Sequence, residues 1–314
     1  MSLPKVITDL DDKCGDEFIK SLLRGKVELL TFSTPSGTLV DAIFTYAHPP
    51  VNGEHMDRWK GIKVIANYGV GIDHINFADA KRRGIPVGNT PGVLDGATAD
   101  TAFALLLATG RHLARGDRIA RSPEFTTFNP GLLLGQEVHH ATVGIIGMGS
   151  IGHKIAQRAN GFDMKVLYYN RSRSVHESRL GATLVPLDQL LQESDYVVLS
   201  VPLNASTRGM IGARELGLMK STACLINVAR GAVVDTAALT DALQRNQIYG
   251  AGLDVTDPEP LPRDHPLLTL DNVTVLPHLG SATVQTRAAM ARLAVENLLK
   301  GLASEPLTCE FGRA

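Results

Sequence analysis

The feature that most constrains this chain is a short apolar strand followed at once by a glycine-rich turn. Residues 142–146 are apolar without alternation, which is typical of a strand buried on both faces. A helical stretch follows from Ile151 to Arg158. The turn between them consists of Gly147, Met148, Gly149, Ser150, Ile151 and Gly152. In this strand–turn–helix context the pattern G-x-G-x-x-G predicts a dinucleotide-binding loop. The alternative is a glycine-rich turn that binds no ligand.

Each glycine of the loop has a physical task in that prediction. Gly147 permits the tight turn, Gly149 lets the backbone approach a pyrophosphate, and Gly152 lets the helix pack on the strand. The start of the helix then presents unpaired N–H groups and the positive end of its dipole to the phosphates.

Short apolar runs alternate with helical stretches along the whole chain. Strands are predicted at residues 5–8, 42–46, 62–66, 85–87, 142–146, 165–169, 196–199, 224–228 and 273–276. Strand–helix alternation of this kind predicts an α/β protein with doubly wound parallel sheets. The length of 314 residues favours two domains.

Three segments between the strands have a distinct character. Residues 98–113 are rich in Ala and Leu and predict a buried helix. Residues 115–136 contain Pro and Gly without a clear period and predict a loop or an excursion used for contacts. Residues 283–302 predict a last long helix.

Composition excludes several classes of protein. The chain has 31 basic and 32 acidic residues, so no basic excess favours a nucleic-acid partner. The longest wholly apolar run, residues 102–108, is too short to span a membrane. Three carboxylates near the amino terminus, at Asp9, Asp11 and Asp12, argue against a signal peptide. Three widely spaced cysteines predict neither a disulfide framework nor a zinc site, and no metal site is expected elsewhere. We therefore expect a reduced, cytoplasmic protein.

The residues after the second strand of the nucleotide-binding region indicate which dinucleotide is used. A carboxylate at this place binds the ribose 2′-hydroxyl of NAD. After Tyr169 the sequence instead reads Asn170, Arg171, Ser172 and Arg173. Guanidinium groups suit the 2′-phosphate of NADP, so NADPH is expected to bind better than NADH. The alternative is two solvated arginines in a polar turn.

Three polar residues follow predicted strands, where open α/β sheets bind ligands. Arg230 follows residues 224–229, Glu259 follows residues 252–255, and His278 follows residues 275–277. Arg230 is suited to clamp a carboxylate and polarise a carbonyl, and His278 is suited to deliver a proton. Glu259 is suited to orient the imidazole and favour its charged form. The alternatives are a structural Arg, a hydrogen-bonded His and a surface Glu.

With these residues in place, the sequence resembles the D-isomer-specific 2-hydroxyacid dehydrogenases over nearly its whole length. The resemblance is carried by residues 70–74, 143–152, 227–231, 252–260 and 276–283. It is greatest to the glyoxylate/hydroxypyruvate reductase branch, and Arg230, Glu259 and His278 match the catalytic trio of that family.

The resemblance implies a flavodoxin-like substrate domain, residues 1–97 completed by residues 285–314, and a Rossmann-type dinucleotide-binding domain, residues 98–284. It implies a homodimer. It also implies that the amides of Val70 and Gly71 bind the substrate carboxylate, and that Pro202, Val228 and Asp254 line the nicotinamide side. Phe128 stands where the branch tends to have Trp, reaching into the partner's active site.

The function expected from residues and resemblance together is NADPH-dependent reduction of small 2-keto acids, glyoxylate or hydroxypyruvate, to D-2-hydroxy acids. One alternative is reduction of a bulkier 2-keto acid, such as 2-ketogluconate or an arylpyruvate. Another is a corepressor-like protein that shares the fold and senses a dinucleotide without being primarily an enzyme.

Overall fold

The structure, a computed structural model, describes residues 2–10 and 17–313. The chain divides into two compact units. The smaller unit consists of Met1–Leu94 and Thr283–Ala314, and the larger unit of Asp95–Ala282. Asp11, Asp12 and Cys14, which entered the sequence argument, lie outside the described residues.

The smaller unit is built on a parallel sheet. Its described strands are β1 (Lys5–Thr8), β2 (Glu28–Thr31), β3 (Ala42–Thr45), β4 (Val64–Asn67) and β5 (Val87–Gly88). They pair in the order β2-β1-β3-β4-β5. Every residue of β3 and β4 is buried, as expected for central strands covered on both faces. The order is that of flavodoxin-like folds.

Helices cover this sheet. They are α1 (Glu17–Leu23), α2 (Gly53–Arg58), α3 (Phe77–Arg82) and the C-terminal helix (Val284–Leu302). The C-terminal helix packs against β4 and α1, and its buried Asn297 donates to the carbonyl of Asn89 at 3.0 Å. Gly88 in β5 allows this approach, because a Cβ there would lie 2.8 Å from the Cβ of Asn297.

The larger unit contains a longer parallel sheet. Its strands are β6 (Thr142–Ile146), β7 (Lys165–Tyr169), β8 (Ala182–Leu184), β9 (Tyr196–Leu199), β10 (Cys224–Asn227), β11 (Gly250–Leu253) and β12 (Val273–Val275). They pair in the order β12-β11-β10-β9-β6-β7-β8. The chain winds outward from β6 to β8, then returns to β9 on the other side of β6. The crevice between β6 and β9 is therefore the switch point at which such sheets bind ligands.

Two apolar cores fill the two faces of this sheet. Its helices are α4 (Asp95–Gly110), α5 (Leu113–Ala120), α6 (Ser150–Asn160), α7 (Glu177–Leu180), α8 (Leu187–Glu193), α9 (Ala213–Leu218) and α10 (Thr236–Gln244). Leu106 of α4 and Ile155 of α6 share one core, and Leu190, Leu216 and Leu239 of α8–α10 share the other. One short 3-10 turn, Gly231–Val233, follows β10, and another, Pro266–Thr269, precedes β12.

The predicted fold class is confirmed: both sheets are parallel and doubly wound, one Rossmann-type and one flavodoxin-like. The edge strands β2 and β8 were not predicted, because they are short, partly exposed and lack a continuous apolar run. The strand expected at residues 85–87 is β5, shifted to Val87–Gly88, since Pro86 has no N–H to donate to a ladder.

The loop expected over residues 115–136 is wrong at its start. Residues Leu113–Ala120 form α5, a short helix that has no buried residue and stands just before the Pro- and Gly-containing part of the segment. The buried helix expected over 98–113 begins earlier and ends earlier, at Asp95 and Gly110. His112, with φ of 54°, breaks the chain direction between the two helices.

Candidate active site

The glycine loop lies at the switch point and makes a tight turn. Gly147 has φ of +101°, and a Cβ on it would lie 2.7 Å from the carbonyl oxygen of Ser200. A Cβ on Gly152 would lie 2.1 Å from the carbonyl oxygen of Gly147, so only glycine lets α6 start so close to β6. A Cβ on Gly149 would meet nothing within 4 Å, so this residue faces open space.

Ser200, at the end of β9, is a site residue that sequence reasoning missed. Its hydroxyl donates to the carbonyl oxygen of Gly147 at 2.7 Å, and its backbone N–H donates to Ile146 at 2.9 Å. Gly147 in turn donates to the carbonyl of Tyr169 at 3.0 Å. The position directly after β9, opposite the glycine loop, was the signal that could have identified it.

A cavity of about 450 Å³ opens beside this loop. Its lining residues are Asp95, Met148, Gly149, Ser150, His153, Lys154, Ser174, Val175 and His176. Burial raises the pKa of Asp95, and the charge of Lys154 opposes that shift. The cavity, the exposed face of Gly149 and the start of α6 together fit the phosphates of a dinucleotide.

The loop after β7 holds its two arginines differently. Arg173 pairs with Glu177 at 2.6 Å, and Glu177 also accepts a hydrogen bond from the hydroxyl of Tyr168 at 2.8 Å. Asn170 donates to the carbonyl of Ser172 at 3.0 Å, which closes the turn. Arg171 is exposed, and no described residue pairs with its guanidinium group. Arg171 is therefore the arginine with charge to offer a ligand.

The turn after β10 is fixed by a buried amide. Asn227 accepts from the N–H of Ala229 at 3.0 Å and donates to the carbonyl of Arg230 at 2.9 Å. A Cβ on Gly231 would lie 2.0 Å from the carbonyl carbon of Thr256, so glycine is required where the two turns touch. These contacts bring the Arg230 turn against the segment that leads from β11 to Glu259.

Asp254 fixes the loop that carries His278. The carboxylate of Asp254 is 2% exposed and accepts from the N–H groups of Leu279 at 2.6 Å and Gly280 at 2.8 Å. Its carbonyl accepts from the N–H of His278 at 2.9 Å, and His278 has φ of 58°. Asp254, which is expected on the nicotinamide side, therefore also stabilises the loop of residues 278–280.

Glu259 and His278 meet beyond the ends of β11 and β12. A carboxylate oxygen of Glu259 lies 2.7 Å from Nδ1 of His278, and the side chains are 40% and 32% exposed, respectively. They border a cavity of about 480 Å³ whose other walls include Pro260, Leu261 and Arg263. A carboxylate on Nδ1 fixes the tautomer and the orientation of the ring, so the pair is suited to proton transfer at Nε2.

In the smaller unit, Val70 and Gly71 lie in a loop after β4 in which the carbonyl groups of residues 69–71 accept hydrogen bonds. The side-chain amide of Asn67 donates to the carbonyls of Gly69 and Gly71 at 2.9 Å, and that of Asn89 donates to Val70 at 2.9 Å. No described residue accepts a hydrogen bond from the N–H of Val70 or Gly71. Sequence reasoning missed both asparagines, which follow β4 and β5 as polar interruptions of apolar runs.

The remaining predicted residues lie apart from these clusters. Val228 is buried and lies directly after β10. Pro202 is exposed and lies shortly after β9, and its carbonyl accepts a hydrogen bond from the hydroxyl of Thr207 at 2.6 Å. Phe128 lies in the segment between α5 and β6 and is 81% exposed. Leu134 in the same segment is 74% exposed.

Comparison with known proteins places this geometry in a family. Residues 103–280 match the model of the D-isomer specific 2-hydroxyacid dehydrogenase NAD binding domain. A glyoxylate reductase of Pyrococcus furiosus is 49% identical over 265 residues, which cover 83% of this chain and 79% of that protein. The chain belongs to the D-isomer-specific 2-hydroxyacid dehydrogenase family. It is an NAD(P)-dependent enzyme of that family, and the expected resemblance is confirmed.

Solved structures superpose on nearly the whole chain. An NADPH-dependent glyoxylate/hydroxypyruvate reductase of Sinorhizobium meliloti, in complex with NADP and malonate, is 32% identical with a TM-score of 0.90, covering 99% of this chain and 97% of that one. A protein of Thermus thermophilus is 39% identical with a TM-score of 0.88, covering 98% and 99%.

The described residues lack the features of two other kinds of site. None of the helices in residues 2–10 and 17–313 combines the length and apolarity needed to cross a membrane. In the same residues, His, Cys, Asp and Glu side chains form no group of three that could hold a metal ion.

Proposed function

We propose that this dehydrogenase reduces glyoxylate and hydroxypyruvate to D-2-hydroxy acids with NADPH. The observation that carries the proposal is the 2.7 Å contact between Glu259 and Nδ1 of His278 beyond the strand ends of a dinucleotide-type sheet. The relatives support the substrate class, because the Pyrococcus protein bears the name glyoxylate reductase and the Sinorhizobium protein that of an NADPH-dependent glyoxylate/hydroxypyruvate reductase.

His278 is the proposed proton donor. A bound nicotinamide supplies the hydride to the carbonyl carbon. Glu259 accepts the Nδ1 hydrogen and orients the ring, so the proton for the carbonyl oxygen is held at Nε2 of His278. Microscopic reversibility makes the same nitrogen the base in the oxidation direction.

Arg230 is the proposed electrophilic group. Its backbone is fixed by Asn227 and Gly231, and its Nη1 donates to the carbonyl of Ala229 at 2.9 Å. A guanidinium group at this place polarises a keto oxygen and pairs with a carboxylate. In the smaller unit, the N–H groups of Val70 and Gly71 are the proposed donors to the substrate carboxylate.

The cofactor proposal assigns residues to the two ends of a bound NADPH. Residues 147–152 hold the pyrophosphate, and Arg171 with Asn170 and Ser172 binds the 2′-phosphate. The Glu177 contact makes Arg173 a weaker contributor, because part of its charge is already compensated. Pro202, Val228 and Asp254 are the proposed walls on the nicotinamide side.

Three further proposals concern the domains, the assembly and the location of the protein. Residues 1–97 with 285–314 are the proposed substrate domain, and residues 98–284 the dinucleotide-binding domain. Phe128, with the exposed Leu134 of the same segment, supports a homodimer in which Phe128 reaches the partner's active site. The free thiols of Cys224 and Cys309 fit the proposed cytoplasmic location.

Initial rates test the proposal directly. Glyoxylate, hydroxypyruvate, 2-ketogluconate and phenylpyruvate are each assayed with NADPH and with NADH. We expect the highest kcat/KM for the two small acids with NADPH. Higher values for 2-ketogluconate or phenylpyruvate would establish the bulkier-substrate alternative. Tight cofactor binding without turnover of any 2-keto acid would favour the corepressor-like alternative.

A further inference from the structure

Two histidines form a stacked pair in the cavity beside the glycine loop. The rings of His153 and His176 are 4.3 Å apart between centroids and 11° from parallel. His153 lies in α6, directly after Gly152, and His176 lies three residues after Arg173. The pair therefore joins the pyrophosphate loop to the loop proposed for the 2′-phosphate.

The pair has an unsatisfied atom. Nε2 of His153 is buried and has no hydrogen-bond partner among the described residues. Such a nitrogen loses its hydration without compensation, and a ligand that bonds to it removes that cost. The Nε2 atom is thus an independent sign of a ligand, in addition to the start of α6 and the cavity.

Electrostatics disfavour the charged form of His153 before a ligand arrives. Burial lowers the pKa of His153, and the positive charges of His176, Lys154 and Arg179 lower it further. Two stacked imidazolium rings repel each other, so the pair accepts a second proton only against like charge.

The anionic groups nearby do not offset these charges fully. Asp95, which lines the same cavity, has a pKa raised by burial, which disfavours its carboxylate form. Glu177 is already bonded to Arg173 and to the hydroxyl of Tyr168. The cavity therefore presents two imidazoles and Lys154 to a ligand.

We propose that the His153–His176 pair is a proton-coupled reader of the 2′-phosphate of NADPH. When the phosphate binds, one imidazole takes a proton from solvent and donates a charged hydrogen bond to a phosphate oxygen. Selectivity for NADPH over NADH then increases as the pH falls. The inference rests on the proposed NADPH preference. It names two residues and a proton that determine how strongly NADPH is preferred over NADH.

The sign follows from the charges. The pKa of His153 is lowered in the free protein, and a phosphate anion beside it raises that pKa again, so binding takes up a proton. NADPH affinity must therefore rise as the pH falls through the range between the bound and free pKa values. A phosphate monoester loses its second proton near pH 6, so above about pH 7 its own titration is small and opposite in direction.

Cofactor dissociation constants measured at about pH 7.0 and pH 8.5 test the inference without turnover. We expect the ratio of Kd for NADH to Kd for NADPH to increase about tenfold on going to the lower pH, the size of one charge-assisted hydrogen bond. His153→Gln and His176→Gln should flatten that dependence. His139→Gln is the matched control, because His139 is an exposed histidine bonded to Glu137 at 2.8 Å.

Two readouts on the unmodified protein protect the test against misfolded variants. Calorimetry in two buffers of different ionisation enthalpy should show proton uptake with NADPH and none with NADH. The imidazole C2–H resonance of His153 should titrate at higher pH in the NADPH complex than in the NADH complex. Equal proton uptake with both cofactors contradicts the inference.

The outcomes separate this inference from the proposed function. A preference for NADPH that is the same at both pH values, or that survives in both His variants with its pH dependence intact, overturns the role of the pair alone. Equal affinities for NADPH and NADH at every pH overturn the cofactor proposal, and this inference with it.

Discussion

The turns after β10–β12 and the loop after β7 both present charged side chains at the same edge of one sheet, yet they are held very differently. Buried polar groups fix the former: Asn227 and Asp254 are 1% and 2% exposed. The latter relies on exposed contacts, chiefly the Arg173–Glu177 pair. Exposed pairs contribute little to stability, whereas breaking a buried network is costly. The residues proposed for proton transfer are thus held by buried groups, whereas the arginines proposed for cofactor choice lie on a surface that tolerates change.

The largest effect should come from removing the proton donor. His278→Ala should lower kcat for hydroxypyruvate reduction about 10²- to 10⁴-fold, because general acid catalysis is lost. The Kd for NADPH, measured by fluorescence titration, should stay within a factor of two. A kcat within tenfold of the parent enzyme contradicts the role of His278.

The contribution of the buried hydrogen bonds after β11 can be tested at Asp254. Asp254→Asn replaces one of two accepting oxygens by an NH₂ group that faces an N–H donor. We expect a loss of about 1–3 kcal/mol in the free energy of unfolding, measured by urea denaturation. Glu177→Gln, at the exposed pair, is the matched control and should cost about 0–1 kcal/mol. Equal losses in the two variants contradict the contrast between the loops.

The exposed loop after β7 can be tested by comparing the effects of its two arginines on cofactor binding. Arg171→Ala should raise the KM for NADPH about 10- to 100-fold and leave that for NADH unchanged, since a charge-assisted hydrogen bond to the 2′-phosphate is lost. Arg173→Ala should have a smaller effect, because Glu177 already compensates its charge. If Arg171→Ala shifts both cofactors equally, this arginine does not read the phosphate.

The smallest expected effect is at Phe128. Phe128→Trp should raise the preference for hydroxypyruvate over 2-ketogluconate, because a larger ring narrows the pocket, and a hydrophobic wall discriminates an extra group by about 1–3 kcal/mol. NADPH binding should not change. An unchanged ratio of kcat/KM removes Phe128 from the pocket, and a monomer in sedimentation removes its proposed reach across a dimer.

Sequence reasoning predicted what depends on local patterns. β6, β7 and β9 have the predicted ends, because uninterrupted apolar runs mark strands buried on both faces. Arg230, Glu259 and His278 could be named because catalytic groups follow strand ends in such sheets. The expected function then drew on the family resemblance.

The groups that fix the loops around the candidate site could not be found in this way. Ser200, Asn227 and Asn67 act through hydrogen bonds to backbone atoms of other segments, and nothing in a local pattern shows which carbonyl a polar side chain will meet. The contact between Arg173 and Glu177 depends in the same way on how the chain folds after residue 173, where Glu177 begins α7. The stacking of His153 on His176 required the loop after β7 to fold back over α6.

The central claim is that Glu259 holds the imidazole of His278 in the tautomer and orientation that proton transfer needs. The most direct measurement is kcat for hydroxypyruvate reduction, at saturating NADPH, in the parent enzyme, in Glu259→Gln and in Glu259→Ala. Gln keeps a hydrogen-bond acceptor at Nδ1 of His278, whereas Ala removes it. The account predicts that kcat falls about tenfold further in Glu259→Ala than in Glu259→Gln, because the imidazole is no longer oriented for general acid catalysis. A kcat in Glu259→Ala equal to that of the parent enzyme would contradict the pairing.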